Sequence, residues 1–196
     1  MRELTALQVA VGLLHLPSRA RTLRDVVLPP DLELLLRIVA DDDQALTDAI
    51  GTTKLSRSAV QAAASFYIEQ ILLHPGADSY RTLGAGPDAT IDELRRNMAL
   101  LLRWLHPDRE VNRSRAVYAS RVTEAWNNIK TADRRAVYEE AREKAASGKL
   151  AFRSYHEEPR TPPAGYVPAI GKGRFRRAEA ANIWRHLRRV FCRPRP

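Results

Sequence analysis

The reading of the fold turns on residues 90–108, Thr-Ile-Asp-Glu-Leu-Arg-Arg-Asn-Met-Ala-Leu-Leu-Leu-Arg-Trp-Leu-His-Pro-Asp. Thr90 and Glu93 stand in T-x-x-E spacing, the signature of a capping box, so a helix is expected to begin there. Its apolar positions are Leu94, Met98, Leu101, Leu102 and Leu105, a stripe at helical spacing that faces a core. Pro107 disfavours helical geometry in the residue before it, so the helix must end by His106. His106-Pro107-Asp108 is therefore expected in an exposed turn. Beyond it, Tyr118, Val122, Ala125, Trp126 and Ile129 form a second helical stripe. Two antiparallel helices joined by a polar loop make a helical hairpin.

Upstream, residues 1–77 read as helices with short connections. Leu4, Leu7, Val11 and Leu14 give the stripe of a first amphipathic helix that stops at Pro17. The same stretch does not suit a signal peptide. Glu3 offsets Arg2, Gln8 interrupts the apolar run, and no small-residue cleavage site follows. Asp31, after Pro29-Pro30, is placed to cap a helix through Leu34, Leu35, Ile38 and Val39. Asp41-Asp42-Asp43 breaks that helix and supplies carboxylates to the next N-terminus. The next helix is short and ends near Gly51. Ser56 then caps a longer helix to Leu73, with Val60, Ala63, Ala64, Tyr67, Ile68, Ile71 and Leu72 on one face and His74-Pro75-Gly76 as its stop. Neither strand alternation nor an internal repeat is visible.

Downstream the composition changes. The net charge is +9, but residues 1–146 hold 20 basic and 20 acidic side chains, whereas residues 147–196 hold 12 basic and 3 acidic. Residues 147–177 carry Pro159, Pro162, Pro163 and Pro168, which oppose regular structure. They predict a linker. Residues 178–191 predict a short helix with Ile183, Trp184, Leu187, Val190 and Phe191 on one face and Arg185, Arg188 and Arg189 on the other. The expected organisation is all-α: an N-terminal helical domain at 1–77, a hairpin-built domain at 78–146, and a basic tail at 147–196.

Taken together, the middle third resembles the J-domain of the DnaJ (40 kDa heat-shock) co-chaperone family. Tyr80-Arg81-Thr82-Leu83-Gly84 matches the opening Tyr and Leu-Gly of that family. The spacing from Leu83 to His106-Pro107-Asp108 fits without a gap. Past the loop, Ala125-Trp126, Ile129, Arg134-Arg135-Ala136 and Tyr138 match the Ala-Tyr, Leu, basic-pair, Ala and Tyr positions. The tripeptide alone is weak, because short motifs recur by chance; its place between two matched helices makes the resemblance specific. It spans about residues 78–142, roughly a third of the chain. The chain departs from the family in having no Gly/Phe-rich segment, no Cys-rich zinc region and no client-binding β domain. It reads as a specialised J-domain member in which direct capture of unfolded clients is not expected.

The resemblance implies a partner and a set of roles. A J-domain binds the ATP-bound form of a DnaK-type (70 kDa heat-shock) chaperone and stimulates its ATP hydrolysis as an allosteric effector, without catalysis of its own. Asp108 would accept charge-assisted hydrogen bonds from an arginine of the chaperone. Pro107 would stiffen the loop and lower the ordering cost of binding. His106 would hydrogen-bond within the loop or across the interface. Arg95, Arg96 and Arg103, with Arg109 just past the loop, would face an acidic patch. Leu100 and Trp104 stand where the family often has basic residues and are expected to pack within the chain, since an exposed Leu-Trp pair is a liability. Trp126 is expected in the core, and Arg134 and Arg135 as solvated helix charges.

Other function classes find less support. The single cysteine, Cys192, excludes an internal disulfide and a Cys-based zinc site, and fits a reducing, cytoplasmic setting. The five histidines show no metal-ligand spacing, and there is no phosphate loop or nucleophile elbow, so no enzyme, cofactor or small-molecule substrate is expected. The basic tail leaves an alternative: an adaptor for an anionic partner. Arginines interleaved with Phe175, Trp184 and Phe191 suit RNA, and the two-faced 178–191 segment suits a membrane surface. Packing of that segment on the body is the plainer expectation.

Overall fold

The computed structural model describes residues 4–106 and 113–154. Every element among them is helical. The order is α1 (Ala6–His15), a 3-10 turn (Pro17–Arg19), α2 (Ala20–Leu23), α3 (Leu32–Val39), α4 (Asp43–Thr53), α5 (Arg57–Tyr67) continued by a π turn (Ile68–Leu72), α6 (Ser79–Thr82), α7 (Ile91–Trp104), α8 (Arg113–Ile129) and α9 (Ala132–Ser154). The chain divides into two compact units, Met1–Glu139 and Glu140–Pro196. Position 77/78 thus falls inside the first unit. There α1 packs on α3 and α5, α3 on α5 and α7, and α6 and α7 on α8. The second unit contains the end of α9, where Lys144 pairs with Glu140 one turn away. The helix passes Ser147 and Gly148, where the composition suggests a linker, and reaches Ser154. One Gly costs a helix only about 1 kcal/mol. No helix among the described residues is long and apolar enough to cross a membrane.

The helix starts follow their capping residues. Thr5 caps α1, and Gln8 completes the box by accepting from the Thr5 amide. Asp42 accepts from the Ala45 amide at 3.0 Å and Ser56 from the Ala59 amide at 3.2 Å. Asp42 also takes both ends of the Arg37 fork at 3.1 Å, and that pairing holds its carboxyl below the usual range. α4 runs two residues past Gly51, because Lys54 itself adopts the left-handed conformation that closes the helix. Asp31 differs from expectation. It occupies the N-cap position of α3 but makes no cap bond there; its Oδ1 accepts instead from the Ala6 amide at 2.8 Å, satisfying a free donor at the start of α1.

The longest stripe reads out as expected: Val60, Ala63, Ala64, Tyr67, Ile68, Ile71 and Leu72 are all buried. Burial of such side chains stabilises by about 1.5–3 kcal/mol for each large aliphatic one. Over Ile68–Leu72 the helix widens to a π turn, closed by the Leu73 amide donating to the Ile68 carbonyl at 2.9 Å. Two arginines satisfy carbonyls there: Arg24, just past α2, donates to the Gln70 carbonyl, and Arg121 of α8 to that of Leu73. The stripe of α1 is rotated from its expected register. Ala6, Leu7, Ala10 and Leu13 are buried, while Leu4 is 63% exposed and Val11 and Leu14 only half-buried. Small alanines let α1 approach α5 closely, and a pattern search weighted to leucine passes over them.

Candidate functional site

The candidate site is built on α7. Its N-terminus is a closed capping box: the Glu93 amide donates to Thr90 Oγ1 at 3.2 Å, and the Thr90 amide donates to Glu93 Oε2 at 2.7 Å. Those hydrogen bonds from Thr90 hold the Glu93 carboxyl below its ordinary range. The inner face buries Leu94, Asn97, Met98, Leu101, Leu102 and Trp104. Asn97 is a buried polar group with its donors used: Nδ2 donates to the Leu83 carbonyl at 3.0 Å and the Gly84 carbonyl at 3.3 Å.

Those carbonyls belong to the Tyr80–Gly84 segment. Asp78 caps α6 by accepting from the Arg81 amide, and α6 ends in a Schellman arrangement. The Gly84 amide donates to the Arg81 carbonyl and the Ala85 amide to that of Tyr80. Gly84 has φ +67, and a Cβ there would stand 3.1 Å from Leu32 and 3.4 Å from Leu36. The Leu-Gly pair thus serves both as a helix stop and as the point where α3 meets this segment. Below it, Tyr80 packs edge-on against Tyr138, with ring centroids 5.9 Å apart, and the Tyr138 hydroxyl accepts from the Ser79 amide.

The outer face of α7 carries Arg95, Arg96 and Arg103, all exposed. Arg95 pairs with Asp92 at 3.0 Å, both side chains well solvated. At 100° per residue the three arginines fall within one arc, opposite the buried stripe. Leu100 is half-buried at the edge of that arc, and Trp104 is buried at 4% exposure, so the Leu-Trp pair does pack within the chain. The helix closes at Leu105, whose amide donates to the Leu101 carbonyl, and half-buried His106 follows directly. Pro107, Asp108 and Arg109 lie outside the described residues, as does the whole basic tail from residue 155.

α8 returns to α7 and packs on it. Ala119, Val122, Ala125 and Ile129 are buried; Tyr118 and Trp126 are only half-buried, so Trp126 lies at the edge of the core and not within it. Near its start, Arg115 lays its guanidinium 5.5 Å from the Trp104 ring centroid and donates to the Trp104 carbonyl at 2.9 Å. Arg135 also departs from the expected solvated charge. It donates to the Tyr80 hydroxyl at 2.9 Å, to the Ala89 carbonyl at 2.9 Å and to the Pro87 carbonyl. Its neighbour Arg134 stays exposed and donates to the Asn127 carbonyl. Neither the Arg115 nor the Arg135 contact carries a sequence signal, because an arginine on a helix face looks the same whether it reaches water or folds back.

Among the described residues no three His, Cys, Asp or Glu side chains converge as a metal site would require. What the arrangement offers is a binding face: a cationic helix surface that leads to an imidazole at its C-terminal end. No family model, no curated protein and no solved structure matches the chain.

Proposed function

We propose that this chain is a J-domain co-chaperone, which binds a DnaK-type 70 kDa heat-shock chaperone and stimulates its ATP hydrolysis through His106-Pro107-Asp108. The observation that carries the reading is the two-sided character of α7. One side is buried through Leu94, Met98, Leu101 and Trp104, and the other leaves Arg95, Arg96 and Arg103 exposed on the helix that closes at Leu105, directly before His106. A partner with an acidic patch can approach that side without disturbing the core, and the electrostatic attraction would speed its encounter. An antiparallel α7–α8 hairpin with the tripeptide at its tip is the fold this reading requires. Contact between α7 and α8, and between α6 and α8, is consistent with it. A cytoplasmic setting rests on the cysteine content alone. The flanking parts would then select the site of action.

Single-turnover ATP hydrolysis by a DnaK-type chaperone tests the proposal. The wild-type chain is expected to accelerate it, and His106→Gln or Asp108→Asn to lose most of that acceleration. The reading fails if the wild type has no effect or if the variants match it. An effect of RNA or anionic vesicles on the chain, lost on deletion of the tail and without any chaperone response, would favour the adaptor alternative.

A further inference from the structure

Two contacts link the end of α7 to the start of α8 across the tripeptide segment. The Arg115 guanidinium stacks on the Trp104 indole at 5.5 Å, and its Nη1 donates to the Trp104 carbonyl at 2.9 Å. That carbonyl is among the last four of α7, which have no partner inside the helix. Trp104 is buried at 4% exposure, so it gives Arg115 a fixed platform and not a mobile side chain. A single residue, Leu105, separates Trp104 from the first residue of the tripeptide, and Arg115 is the third residue of α8. We infer that Arg115 is a positioning residue: its clasp on Trp104 fixes the two helix ends that carry His106-Pro107-Asp108, and so governs how strongly a docked chaperone is stimulated.

The inference rests on the co-chaperone reading for its function but on Trp104 and Arg115 alone for its geometry. Docking and stimulation should separate. Arg95, Arg96 and Arg103 set how well a partner binds, whereas the clasp sets how well the tripeptide is presented once bound, because preorganisation lowers the ordering cost of the productive geometry. Cation–π stacking and a charged hydrogen bond at a partly buried site together make the clasp worth about a tenfold change in a local opening equilibrium.

The test uses the full chain with Arg115→Ala, Arg115→Lys and Trp104→Phe, and two readouts. The first is amide hydrogen exchange at the end of α7, where the Leu105 amide donates to the Leu101 carbonyl at 2.9 Å. Arg115→Ala should raise exchange there about tenfold, leaving α1–α5 unchanged, and Arg115→Lys and Trp104→Phe should fall between. The second is the ATPase titration: Arg115→Ala should lower maximal stimulation several-fold with the half-saturating concentration unchanged. Unchanged exchange in Arg115→Ala overturns the clasp. Raised exchange with undiminished maximal stimulation, or with a shift in half-saturation alone, overturns its positioning role. Raised exchange alongside a wild type that stimulates nothing overturns that role too and places the failure in the co-chaperone reading, with the clasp itself intact.

Discussion

The Arg135 guanidinium lies 5.3 Å from the centroid of the Tyr80 ring and donates to the same residue's hydroxyl at 2.9 Å. One side chain therefore satisfies both the π face and the polar tip of a tyrosine that is 1% exposed. The rest of the fork reaches the Ala89 and Pro87 carbonyls, in the connection between α6 and α7. Arg135 thereby fixes the approach of that connection to the capping box at Thr90, which starts the candidate site.

Replacement of Arg135 by Ala should destabilise the chain by about 2–3 kcal/mol, since it removes a stacked cation and several charged hydrogen bonds. Lysine keeps the charge but not the planar fork, and should recover less than half of the loss. Urea unfolding measures both. A loss below about 0.5 kcal/mol for Arg135→Ala, the range of ordinary surface substitutions, would show that the clamp carries little stability.

Much of this architecture is legible in the residues themselves, wherever a local rule has no competitor. Thr90 with Glu93, Asp42 and Ser56 are caps because their side chains meet free amides within three residues. The α5 stripe is legible because branched and aromatic residues repeat at one period. The illegible parts are tertiary. Asp31 sits where a cap belongs, yet the α1 amide that takes its carboxylate is 25 positions away. Arg115 and Arg135 are indistinguishable in sequence from Arg134. At the candidate site, the solvation of Arg95, Arg96 and Arg103 follows from their spacing against the leucine stripe. The fixing of Trp104 by Arg115 does not, because it depends on where α8 returns.

Glycine positions give a contrast of sign. Gly84 has φ +67, and a Cβ would meet Leu32 at 3.1 Å, Leu36 at 3.4 Å and Leu72 at 3.5 Å. Gly84→Ala combines left-handed strain with crowding in a core and should cost about 1–3 kcal/mol. Gly12, inside α1, has nothing within 4 Å of its would-be Cβ. Gly12→Ala should stabilise by about 0.5–1 kcal/mol through helix propensity. Thermal unfolding of the pair distinguishes the two environments; equal effects would contradict the approach of α3 to Gly84.

Alkaline pH should weaken the fold in a defined window. Burial pushes the Tyr67 and Tyr80 hydroxyls up to about 12, with Glu139 adding to the effect at Tyr80. The ordinary value is about 10, so the folded state favours the neutral phenol. That stability is fully present below about pH 10 and is lost as pH rises toward 12, where the unfolded chain ionises first. Urea midpoints should fall steadily across this window, and Tyr67→Phe should reduce the fall while staying close to the wild type at neutral pH. A Tyr67→Phe curve parallel to the wild type from pH 9 to 12 would exclude Tyr67 as a source.

The last prediction concerns Arg95, Arg96 and Arg103 together. All three are exposed, and the pairing of Arg95 with Asp92 involves side chains 57% and 70% exposed. Such a pair is worth at most about 1 kcal/mol and commonly less. Changing all three to Ala should therefore leave the unfolding midpoint within about 1 kcal/mol of the wild type. Their charges still sum on one side of α7, so an acidic partner surface would lose three attractions at once. The half-saturating concentration for ATPase stimulation should rise by about 10- to 100-fold near physiological salt, mainly through slower association. Raising the salt shortens the Debye length from about 8 Å at 0.15 M to about 3 Å at 1 M, and the gap between triple variant and wild type should then narrow. Maximal stimulation at saturation should stay near that of the wild type, because the three exposed arginines act in docking, whereas presentation of the tripeptide rests on Arg115 and Trp104. A triple variant with wild-type half-saturation at low salt would move the docking surface off α7. A salt-independent defect would mean that the arginines act through local geometry and not through charge.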